Sequence, residues 1–123
     1  MKIPLSRLPA PRELAHALYL SGEDFVALLE SGQGFAERAR YTVVAWGVER
    51  AYVARGADLQ QVLYEAQRGL KPGGGPFGGE LAIGALTYEA AYYLEPHLLK
   101  YGKVDRELPA AFLVVPAGYL VYD

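Results

Sequence analysis

The chain has 123 residues, 52% of them hydrophobic and 21% charged, with a formal net charge of −2 and no cysteine. This is enough for one domain with its own core, and the balance is that of a globular rather than a disordered protein. It leaves no basic field for nucleic acid, no disulfide framework, no thiolate metal site and no thiol nucleophile, and no apolar run has the length of a membrane span. Met1-Lys2-Ile3-Pro4 lacks the apolar stretch of a secretory signal, so a cytoplasmic protein without nucleic-acid or membrane partners is expected. Asparagine is absent and arginine outnumbers lysine eight to four, which points to a heat-loving source.

The first nine residues read as an extended arm, because Pro4, Pro9 and Pro11 oppose a regular helix. Pro11 suits the first position of a helix over 12–20, with Leu14, Ala15 and Leu18 on one face and Ser21-Gly22 as its stop. His16 on that helix has no acid or nucleophile at i±3 or i±4 and reads as a surface residue. Residues 25–29 form a first strand that Glu30-Ser31-Gly32 ends. Arg40-Tyr41 opens a second, Thr42 to Trp46, closed by Gly47. Residues 51–54 read as a third strand, paired with the second as a hairpin.

Asp58 is placed to cap a helix over 59–68, whose apolar stripe is Leu59, Val62, Leu63 and Ala66 and whose end is Gly69. Residues 71–79, KPGGGPFGG, read as the most flexible stretch, a long surface connection. They are not a phosphate loop: the lysine precedes the glycines, and a strand rather than a helix follows. That strand, 81–88, reads as buried, and Gly84 inside it implies a close approach of another backbone or a ligand. A short helix over 89–95 ends at Pro96, residues 97–107 read as a polar surface loop, and 109–116 with 118–123 read as a closing hairpin. Two distant histidines make no metal site. The expected fold is α+β, a mainly antiparallel sheet of about six strands with two or three short helices in a single domain.

Glu30, Ser31 and Arg40 stand at strand ends. A carboxylate, a hydroxyl and a guanidinium there suit a small zwitterion, since arginine clamps a carboxylate bidentately and glutamate takes an ammonium. The plain alternative is a surface ion pair between Glu30 and Arg40. Glu30, Glu80 and Glu89 are the candidate acids, although strand-end glutamates are more often salt-bridged than catalytic.

Leu28-Leu29-Glu30-Ser31, a loop, and then Arg40-Tyr41 with Val43-Val44-Ala45 resemble the N-terminal region of component I of the chorismate-utilising synthases, anthranilate synthase and aminodeoxychorismate (para-aminobenzoate) synthase. A second match follows: Gly78, Gly79, Tyr88 and Glu89 fit the family's Gly-Gly…Tyr-[Glu/Asp] pattern. Gly84 is displaced by one residue, and Ala85 stands where the family has tyrosine. Ser31-Gly32 and Glu89-Ala90-Ala91 lean towards the aminodeoxychorismate branch. The resemblance runs in order along nearly the whole chain.

It implies a non-catalytic, structural N-terminal domain or subunit, with Glu30, Ser31, Arg40 and Tyr41 lining a regulatory pocket for tryptophan or a similar amino acid. No catalytic or metal-binding residue is expected in this chain. Chorismate and Mg2+ would be held by a longer catalytic part that lies outside it. The implied partners are a separate chorismate-binding catalytic subunit and a glutamine amidotransferase subunit. The alternative is a free-standing small-ligand-binding homo-oligomer. Residues 81–86 and 112–115 are apolar on both faces, and strands of that kind need cover on both sides. Two helices of about ten residues hardly supply it. An obligate-type interface of ~2,000 Å² or more is therefore expected, with the 118–123 strand a candidate for edge pairing.

Overall fold

The computed structural model describes residues 4–30, 40–95, 97–98 and 108–123. They form an α+β structure of six antiparallel strands and three α-helices. The strands divide between two three-stranded sheets rather than joining in one, and the chain divides into two compact units, 1–48 with 116–123, and 49–115.

In the first unit, α1 (Pro11–Leu20) begins with proline at its first turn, where no amide hydrogen is needed. Leu14, Ala15 and Leu18 are its half-buried face, and His16 is exposed. The helix closes as the Ser21, Gly22 and Glu23 amides donate to the Ala17, Tyr19 and Leu18 carbonyls, with Gly22 at φ +86°. The arm before it is not wholly extended, because the Arg7 amide donates to the Pro4 carbonyl and closes one 3-10 turn over Leu5–Arg7. Farther along, the Pro9 carbonyl accepts from the Tyr122 hydroxyl at 3.0 Å.

The sheet of this unit has the order β1 (Val26–Leu29), β2 (Thr42–Trp46), β6 (Gly118–Tyr122). As expected, β1 and β2 pair antiparallel, Val26 opposite Trp46 and Leu29 opposite Val43. The central strand is buried on both faces, at Val43, Val44 and Ala45, which is why its sequence is an unbroken apolar run.

In the second unit the order is β3 (Arg50–Ala54), β5 (Ala111–Val115), β4 (Ile83–Leu86). Helix α2 (Leu59–Arg68) and the short α3 (Ala90–Leu94) complete it. Leu59, Ala66 and Ala90 are buried, and Leu59 packs with Ala54, Ala90, Ala110 and Ala111, joined by Val62, Leu63 and Tyr93. The predicted stripe is thus the core-facing one. Alanines at four positions of this cluster let helix and sheet backbones approach closely, and full burial of Leu59 contributes about 1.5–3 kcal/mol.

Several expectations need correction. Neither expected hairpin forms. β2 pairs with β6, and β3 pairs with β5. The links 47–49 and 116–117 therefore join strands that do not pair with each other. Gly47 sits there at φ +73°, and a Cβ on it would lie 2.7 Å from Cβ of Ala117. Pro116 has no amide hydrogen to give.

Asp58 does not cap α2 forwards. At φ −83° and ψ 3° it lacks the extended geometry of a capping residue. Its Oδ1 instead accepts from the Arg55 and Gly56 amides, both at 3.0 Å. Gly69 ends the helix in right-handed geometry. β4 is an edge strand rather than a buried one, with Gly84, Ala85 and Leu86 exposed. The close approach predicted at Gly84 is present: a Cβ there would run into the Phe112 carbonyl.

Residues 71–79 are a hydrogen-bonded turn rather than a loose connection. The Gly73 amide donates to the Gly78 carbonyl at 2.8 Å and the Glu80 amide to the Lys71 carbonyl at 2.9 Å. Of the loop expected over 97–107, all but residues 97 and 98 falls outside the described residues. No helix among the described residues is long and apolar enough to cross a membrane.

Candidate functional site

The β1–β2–β6 register brings the ends of three strands together. Leu29 lies opposite Val43, and Thr42 lies opposite Tyr122, so Glu30, Arg40, Tyr41 and Asp123 gather at one end of this sheet. Ser31 lies outside the described residues. Glu30 and Arg40 do not pair with each other, as the plain alternative had it. The Arg12 Nε of α1 donates to Glu30 Oε1 at 3.0 Å, with Nη2 3.5 Å from Oε2. Arg40 makes a fork with Asp123, Nε to Oδ1 at 2.8 Å and Nη2 to Oδ2 at 2.9 Å. The Arg40 guanidinium also lies 5.0 Å from the centroid of the half-buried Tyr41 ring.

Both pairs are open to water. The side chains of Arg40 and Asp123 are 65% and 58% exposed, so solvent screens them and they add little to stability. Their electrostatics still sets charge. The hydrogen bond from Arg40, aided by its charge, holds the Asp123 carboxyl below the usual carboxylate range, and the same bond raises Arg40. Arg12 is raised by its hydrogen bond to Glu30. Burial pushes the Tyr122 hydroxyl up. The strand ends therefore present two fixed cations and two carboxylates beside an aromatic ring. That set can exchange partners with the two charged groups of a zwitterion, because exposed pairs are cheap to open.

The second unit holds a tighter ionic cluster. Arg50 Nη2 donates to Glu80 Oε1 at 2.5 Å and to the Gly69 carbonyl at 3.1 Å, while the Lys71 amide donates to the same Glu80 oxygen at 2.8 Å. The Arg50 and Lys71 hydrogen bonds depress Glu80. A general acid needs the opposite shift, so this candidate acid acts as a clamp that ties β3, the end of α2 and the 71–79 turn together. Glu89 is half-buried at the start of α3, where its carbonyl accepts from the Tyr92 amide. His97 Nδ1 lies 3.4 Å from Glu95 on the surface. Among the described residues no group of three or more His, Asp or Glu is placed to hold a metal ion.

Sequence reasoning missed Arg12 and Asp123. Both follow from tertiary placement: Arg12 from α1 lying on β1 and β2, and Asp123 from the β2–β6 pairing.

No protein-family model matches the chain. A curated relative does. Anthranilate synthase component 1 of Aeropyrum pernix is 52% identical over 125 residues, a match that takes in 98% of this chain and 27% of the relative. This match makes the chain the counterpart of one region of a larger polypeptide. That region is the N-terminal part of anthranilate synthase component I, to which the chain is homologous. The chain spans about a quarter of the relative's length.

Proposed function

We propose that the chain serves as the non-catalytic N-terminal part of a chorismate-utilising synthase component of the anthranilate branch. In this role it completes the component beside a catalytic region and carries an amino-acid pocket. The observation behind this reading is the 52% identity across 98% of the chain. The relative's name favours tryptophan biosynthesis over the aminodeoxychorismate branch towards which Ser31-Gly32 and Glu89-Ala90-Ala91 lean. Chorismate, Mg2+ and a glutamine amidotransferase subunit belong to the catalytic region and its assembly under this reading.

In the pocket, Glu30 takes the ligand's ammonium and Arg40 its carboxylate, with Ser31 as a hydroxyl partner and Tyr41 as a ring face. The grouping of Glu30, Arg40 and Tyr41 at one sheet end supports this reading. Binding would compete with Arg12 for Glu30 and with Asp123 for Arg40.

Titration calorimetry with tryptophan tests the pocket, with the catalytic region present because a quarter-length chain need not hold every contact. Binding that weakens at least tenfold in Arg40→Ala and Ser31→Ala is expected. Equal binding by both variants, or none by the wild type, would remove the pocket from the proposal. Purified chain incubated with chorismate, Mg2+ and ammonium is expected to give no product fluorescence above buffer.

A further inference from the structure

The two ion pairs at the end of the β1–β2–β6 sheet match, charge for charge, what the proposed pocket receives. Arg12 gives Glu30 the cation that a ligand's ammonium would supply, through Nε at 3.0 Å. Asp123 gives Arg40 a carboxylate, in the two-point fork at 2.8 and 2.9 Å that an amino acid's own carboxylate would take. Both partners are carried by anchored segments. Asp123 follows β6, which pairs with β2 from Gly118 to Tyr122. Arg12 lies in the first turn of α1, which packs on β1 and β2. The Tyr122 hydroxyl donates to the Pro9 carbonyl at 3.0 Å, so the two carrying segments are also joined to each other. Arg40 keeps Asp123 ionised at neutral pH, because its hydrogen bond holds that carboxyl below the usual range.

A charge fixed on the same unit has a high effective concentration, which a dissolved ion of the same sign at micromolar levels does not match. A ligand with a single charge trades one exposed pair for another and gains nothing from the exchange. A ligand with ammonium and carboxylate on one carbon makes its second exchange from within the site, where its own effective concentration is high as well. We infer that Arg12 and Asp123 are specificity-determining residues of the pocket: internal stand-ins that close its two charged ends to simple amines and carboxylates and yield to a zwitterion. This rests on the functional reading above and assigns the residues that set the selectivity of the same site.

Titration calorimetry tests this on the chain co-produced with the part of the Aeropyrum pernix relative outside the matched region, the relative's remainder. The probes are tryptophan, tryptamine, which lacks the carboxylate, and indolepropionate, which lacks the ammonium. Wild type is expected to bind tryptophan and to take neither half-ligand in the micromolar range. Asp123→Asn should tighten tryptophan about two- to fivefold, the range an exposed ion pair commands, and should admit indolepropionate but not tryptamine. Arg12→Gln should tighten tryptophan similarly and admit tryptamine alone. Glu65→Gln, which removes the same charge as Asp123→Asn but from α2, should change nothing. Circular dichroism melts establish that each variant is folded, and Asp123→Ser or Arg12→Ala replaces one that is not. Variants that admit both half-ligands alike, or neither, overturn the stand-ins and leave the pocket intact, as does tryptophan binding that weakens in Asp123→Asn. No tryptophan binding by wild type removes the pocket, and the inference with it.

Discussion

At the scale of single residues, charge partners are set by pairings that chain position does not announce. Glu30 and Arg40 are ten positions apart and were natural partners on paper, yet Arg12 and Asp123 take them. The residue types of the site were legible because strand ends are visible in the sequence. The partners were not, because Asp123 reaches Arg40 only through the β2–β6 ladder. Glu80 shows the same limit: a strand-start glutamate resembles an acid until Arg50 and the Lys71 amide are seen on it.

Its depressed folded-state value fixes a sign. A carboxyl lowered on folding adds stability above its ordinary titration range, and that contribution is lost as pH falls through the folded value. Acid unfolding of the second unit should therefore steepen below the usual carboxylate range. Glu80→Gln should unfold more easily at neutral pH and show a shallower acid limb. Circular dichroism melts across pH 2 to 7 read both effects, and an acid limb identical to wild type would count against the clamp.

At the scale of elements, helices and strands were readable and their pairing was not. α1 and α2 follow local signals, Pro11 at the first turn and the stripe from Leu59 to Ala66, and those signals need no distant partner. Strand pairing depends on contacts far apart in sequence. Short Gly- and Pro-containing links at 47–49 and 116–117 look like hairpin turns, but the strands that they join pair elsewhere, β2 with β6 and β3 with β5. The clue available in the sequence was Gly84, which called for a close backbone neighbour and found Phe112.

Gly84→Ala should therefore force β4 away from β5 and destabilise by about 1–3 kcal/mol, as overpacking does. Leu59→Ala, which empties the middle of the alanine-lined core, should cost about 2–5 kcal/mol. Urea unfolding measures both. A neutral Gly84→Ala would mean that the edge strand shifts freely.

At the scale of the whole molecule, the expectation of apolar surface in need of cover has a definite location. The sheet of the second unit is lined by α2 and α3 on one face and open along Val53 and Phe112 on the other. Expressed alone, the chain is expected to bind an apolar dye or self-associate at low micromolar concentration, and Phe112→Asp should reduce the dye signal. A dye-silent monomer would show the face to be covered from within.

Under the proposed function, this chain is a working part of a synthase component and yields no anthranilate by itself. Anthranilate fluorescence from chorismate, Mg2+ and ammonium tests it most directly, in three samples: the chain alone, the relative's remainder alone, and the two co-produced. Turnover is expected only in the co-produced sample. Turnover by the chain alone, or a remainder equally active without it, would contradict this role.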